Sequence, residues 1–210
     1  MNTKLKGTML GAMMATAAVW ADPSVSELWQ ESLAAETNGN YAAALDIHEQ
    51  ILPKVGITYL ASLRAGWLNY MIGRYPDALR FYEKASQQSS GTITPLYGAM
   101  NCHDALGDSA RVIRVAKAIL VINELDYTAN RKLAETYYAE REFALAAAYY
   151  RKLNRLYPED LAVASGLAWS CLEEGNARQA APLFEDILML SPDYPYAERG
   201  MQICKQIENR

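Results

Sequence analysis

A 34-residue period runs without a slip from Val25 to Tyr194. Gly39, Gly73, Gly107 and Gly175 fall at one phase, and Arg141 fills the remaining slot. Five residues later stand Ala44, Ala78, Val112, Ala146 and Ala180, and four further on His48, Tyr82, Ala116, Tyr150 and Phe184. Self-similarity of this length means an array in which each unit buries its apolar face on its neighbours. The units are 25–58, 59–92, 93–126, 127–160 and 161–194. Each reads as two helices. Small and apolar residues recur at helical spacing in the first half, as in Leu161, Ala164, Leu167, Ala168 and Cys171. A turn such as Gly39-Asn40-Tyr41 follows, with glycine at the positive-φ position that ends a helix. The second half resumes the spacing with Ala180, Leu183, Phe184, Ile187 and Leu188.

These positions resemble the tetratricopeptide repeat family. Its motif has a small residue at position 8 of each unit, Gly at 15, Ala at 20, an aromatic at 24 and Pro at 32. Position 8 here holds Ser32, Gly66, Met100, Ala134 and Ala168, and Pro158 and Pro192 stand at position 32 of the last two units. The resemblance covers 170 of 210 residues. It implies an all-α fold: a right-handed α-solenoid of five helix-turn-helix repeats within one domain, 22–210, closed by a cap helix in 195–210. In that cap Ala197, Met201 and Cys204 face inward, and Glu198, Arg199, Lys205 and Glu208 face outward. Repeat 3 departs from the motif, with Met100 at the small position and Ala116 at the aromatic one. A volume-conserving repack is expected there, and repeat 3 is the expected place for the array to open first. Glu31 stands at a normally apolar position of repeat 1, which has no upstream neighbour to bury it.

Residues 1–21 read as a signal peptide. Lys4 and Lys6 precede an uncharged run, Gly7 to Trp20, too short for the ~20 residues a membrane span needs. Val19-Trp20-Ala21 places small residues at −3 and −1, which predicts cleavage after Ala21 and an exported, bacterial-type chain destined for the periplasm. Loss of two lysines and no acid moves the net charge from −4 to −6. An acidic domain argues against nucleic-acid partners, and no second apolar run predicts membrane insertion of the mature chain. Cys102, Cys171 and Cys204 have neither metal-ligand spacing nor a CxxC pair. They read as core residues, with a Cys171–Cys204 disulfide as one alternative.

Catalytic, metal-binding and cofactor-binding motifs are not found, so no cofactor and no enzymatic activity are expected. His48 and His103 occupy slots that aromatic residues fill in other units, and read as packing residues. In the resembled family, positions 2, 5, 9, 12 and 13 face a concave surface. That mapping assigns a partner-binding groove to Trp29, Trp67, Tyr70, Tyr97, Asn101, Arg131, Tyr138 and Trp169. Aromatic residues on such a surface suit binding hot spots; packing of first helices on one another is the competing use. Asn101 occupies a position of the family's carboxylate clamp, but Leu63 stands where its lysine belongs, so that mode is not expected. The reading is a non-enzymatic scaffold of the cell envelope for a protein or peptide partner. The alternatives are a structural subunit docking through a convex face or terminal repeat, and an accessory part of an enzyme complex.

Overall fold

The computed structural model describes residues 22–89 and 91–209. It contains eleven α-helices, among the described residues unaccompanied by strands. They are α1 (Val25–Thr37), α2 (Tyr41–Val55), α3 (Tyr59–Met71), α4 (Tyr75–Gln88), α5 (Thr94–Ala105), α6 (Ser109–Ile122), α7 (Tyr127–Ala139), α8 (Phe143–Leu156), α9 (Leu161–Glu173), α10 (Ala177–Leu190) and α11 (Ala197–Glu208). Two helices fall in each 34-residue unit, and α11 follows the last. The expected leader, 1–21, lies outside the described residues. No helix among the described residues is long and apolar enough to cross a membrane.

Local chemistry sets these boundaries. Ser24 caps α1 in a reciprocal box with Glu27, whose carboxylate takes the Ser24 N–H at 2.7 Å. Thr58, Asp126 and Asp160 accept first-turn N–H groups of α3, α7 and α9, and Asn40, Asp108 and Asn176 do so for α2, α6 and α10. Inside every unit the first helix ends in the same pair of bonds. In unit 1, Gly39 N–H donates to Glu36 C=O at 2.8 Å and Asn40 N–H to Ala35 C=O at 2.8 Å. The motif needs a left-handed residue. Gly39, Gly73, Gly107 and Gly175 supply it, and Arg141 is forced to φ 63°.

That forced geometry makes a prediction. An L-residue in this region costs roughly 1–2 kcal/mol, and glycine returns roughly 0.4–1 kcal/mol of that through its looser unfolded chain. Arg141→Gly is therefore expected to stabilise the chain by about 0.5–1 kcal/mol, a rise of about 1–4 °C in Tm. A lower Tm in thermal melting would show that the Arg141 side chain contributes more than its backbone costs.

The units join in two ways. Where position 24 is aromatic, its ring lies flat over a glycine at position 6 of the next unit. A Cβ on Gly98 would stand 2.2 Å from Tyr82 Cζ, one on Gly166 2.4 Å from Tyr150 Cζ, and one on Gly200 2.3 Å from Phe184 Cζ. Where position 24 is His48 or Ala116, position 6 of the next unit is a cation, Arg64 or Lys132. Each cation reaches back to an acid at position 12 of the preceding unit. Arg64 pairs with Glu36, and Lys132 Nζ lies 2.8 Å from Asp104 and 3.6 Å from Glu135. Helix spacing follows the chemistry. The first helices α3 and α5, α7 and α9, and α9 and α11 bring their backbones within 8 Å, whereas α1 and α3, and α5 and α7, do not.

Met100 and Ala116 are both fully buried and belong to one continuous core that runs from Met100 to Cys204. Smaller clusters lie on the N-terminal side, Ala44–Leu45–Leu68 and Ala78–Tyr82–Cys102. Cys171 and Cys204 are free, buried thiols rather than a disulfide. Cys171 Sγ faces Arg151 and Gln179, at 3.9 and 4.0 Å, and not the cap.

Candidate binding groove on the first-helix face

The wide spacing of α1 and α3 opens a cavity of about 980 Å³. Trp29, Gln30 and Leu33 form one wall. Leu60, Leu63, Arg64 and Trp67 form the other, and the cavity extends over Tyr82 to Thr94, Gly98 and Asn101 of α5. It thus spans three units. Leu33 and Leu60 are 58 % and 68 % exposed on its rim. These open apolar residues are contiguous with the aromatic rings and form one patch rather than scattered surface residues.

The rings are held in place. Trp29 meets His48 edge to face at 5.1 Å, and Trp67 meets Tyr41 at 5.5 Å. The Arg64 guanidinium lies over the Trp67 ring, 4.8 Å from its centroid. Burial pulls Arg64 below its ordinary pKa, although it remains charged at any physiological pH. Its partner Glu36 has a side chain only 7 % exposed. Below the rings, His48 is fully buried, with Nε2 2.9 Å from the Ala61 carbonyl and Nδ1 without a partner. Burial lowers its pKa, so the neutral form is favoured.

Three of the eight residues expected in a groove line this cavity: Trp29, Trp67 and Asn101. Tyr138 and Trp169 line a separate cavity at the far end of the array. Tyr70, Tyr97 and Arg131 line neither. Tyr70 packs on Tyr75 at 5.7 Å, within the Tyr82 cluster. The Tyr97 hydroxyl donates to Asp126, the cap of α7, and burial together with that carboxylate lifts its pKa to about 12. Arg131 Nε is paired with Glu135 at 2.8 Å. These side chains are therefore engaged within the array. Sequence reasoning missed Arg64 and Glu36 as a unit, because position 6 is not among the family positions assigned to the concave surface. The signal was present in the coincidence of a cation at position 6 with an acid at position 12 of the preceding unit.

Among the described residues no three His, Cys, Asp or Glu side chains cluster to hold a metal ion. His103 is buried with Nδ1 unpartnered, beside Arg111 and Arg114.

No family model matches the sequence, and no curated protein matches it. Solved structures do resemble the fold. A tetratricopeptide repeat protein from Parabacteroides merdae superposes with a TM-score of 0.75 at 16% identity, covering 88% of this chain and 73% of that one. YrrB, described as a TPR protein with an unusual peptide-binding site, gives 0.69 at 14%, covering 85% and 92%. MamA from Desulfovibrio magneticus RS-1 gives 0.71 at 15%, covering 82% and 98%. Five units in one register, the same turn bonds in each and these likenesses show that the chain has the all-α helical-repeat fold of the tetratricopeptide repeat structures.

Proposed function

We propose that the chain is a non-enzymatic scaffold of the bacterial cell envelope, and that it holds an amphipathic peptide or partner helix in the cavity between α1, α3 and α5. The observation that carries this is the pairing of fixed rings, Trp29 and Trp67, with rim leucines left open to solvent. A partner's apolar side chains would cover Leu33 and Leu60, and Asn101 would hydrogen-bond its polar edge. The peptide-binding description of YrrB, whose fold is similar, supports the same class of role. Placement in the envelope rests on the leader-like 1–21 segment, and exported protein should begin at Asp22. Intact mass of protein from the envelope fraction checks that start.

Leu60→Glu tests the groove. A residue 68 % exposed contributes little to folding, so Tm should move by no more than about 0.5 kcal/mol equivalent. Photocrosslinking from position 60 should identify the partner segment, and Leu60→Glu or Trp67→Ala should weaken its binding about 30-fold or more. Full retention of binding by folded Leu60→Glu would place the partner surface elsewhere.

A further inference from the structure

The second cavity, about 420 Å³, is lined by Tyr138 of α7, Trp169 and Glu173 of α9, Tyr196 before α11, and Arg199 and Ile203 of α11. Its aromatic walls are buttressed. Tyr138 meets Phe143 edge to face at 5.3 Å, and Trp169 meets Phe184 at 5.3 Å. Phe184 is itself clamped over Gly200. Tyr196 is held at φ 63°, a backbone state costly for a tyrosine, yet its side chain makes no capping bond to α11 and is 71 % exposed. Non-glycine residues kept in such a state concentrate at ligand sites. Glu173 and Arg199 are both exposed, and among the described residues neither has an ion-pair partner within 4.0 Å. Tyr138 and Glu173 line the same cavity, and burial and then the Glu173 charge raise the Tyr138 pKa.

We propose that this cavity binds a small zwitterion, with an alkylated ammonium against Tyr138, Trp169 and Tyr196 near Glu173, and an acidic group against Arg199. The faces of electron-rich rings attract cations, and a methylated ammonium sheds its water more readily than a bare one. A simple cation would meet repulsion from Arg199, and a simple anion repulsion from Glu173. Only a ligand carrying both charges answers both side chains. The volume suits a small molecule. The site is separate from the groove between α1 and α3, so it stands or falls independently of that reading.

Calorimetric titration of the full chain tests it. The probes are trimethylglycine and phosphocholine, set against 3,3-dimethylbutanoate, which has the shape of trimethylglycine without the positive charge. At least one zwitterion should bind in roughly the millimolar range, at least about tenfold tighter than the isostere that lacks the ammonium charge. Glu173→Gln and Arg199→Gln should each weaken it about fivefold or more. Tyr196→Gly removes a ring and relieves the strained φ. It should lower affinity about tenfold while leaving Tm equal or higher. Binding of neither zwitterion, equal binding of the isostere, or unchanged binding by Tyr196→Gly would each overturn the proposal.

Discussion

Phe184→Ala is expected to lower stability by about 3–5 kcal/mol, a fall of roughly 6–20 °C in Tm. Phe184 is completely buried and seals unit 5 against α11. Truncation leaves a ring-sized void in a helix pair that cannot collapse, because the α10–α11 spacing is fixed along both lengths. Gly200→Ala should cost about 1–3 kcal/mol for the opposite reason, since its new Cβ would stand 2.3 Å from Phe184 Cζ. The two changes touch one contact, so they should not add. In the double variant the methyl enters space the ring has vacated, and the combined loss should fall at least about 1 kcal/mol short of the sum. Urea melts of the four proteins complete the cycle. Strict additivity would mean that ring and glycine are not each other's packing partners.

Arg64→Leu is expected to cost about 3 kcal/mol. That is the lower end of the range for breaking a buried pair, because Arg64 itself stays about a third exposed. The loss comes mostly from what remains. Glu36 would be 93 % buried with no cation, and its Oε1 already lacks a partner. Glu36→Leu added to Arg64→Leu should therefore recover most of the stability, whereas replacing Arg64 by Lys should recover only part, since an ammonium cannot lie flat over Trp67. The sign with pH follows. An unpaired buried carboxylate has a raised folded pKa, so the single variant binds more protons folded than unfolded. It should lose stability as pH rises through that range. A single variant that melts like the wild type would show the pair to be a solvent-screened surface contact.

The architecture was readable in the sequence because a period constrains every unit at once. Five glycine-type turns in phase admit one reading, and even Arg141 could be assigned its place by register, though its left-handed backbone could not be seen. The groove was less readable. Position rules borrowed from a family put Tyr70, Tyr97 and Arg131 on one face with Trp67 and Asn101. They do not report that Tyr97 is already bonded to Asp126, or that Arg131 is already paired with Glu135. Those facts depend on neighbours in adjacent units, which a pattern inside one unit cannot express. Met100 and Ala116, the two departures from the motif in repeat 3, share one buried core.

The two kinds of junction also govern how this chain can be shortened. Each unit ends in a plug at position 24 and begins with a socket at position 6, and only some plugs fit some sockets. Deleting 93–126 alone would drive the Tyr82 ring into Lys132, and deleting 59–92 alone would set His48 against an empty Gly98. Deleting 93–160 instead brings Tyr82 onto Gly166, a match of the kind already made at Gly98. Loss is therefore tolerated where the plug and socket left behind are of one kind, as they also are when 161–194 alone is removed and Tyr150 meets Gly200.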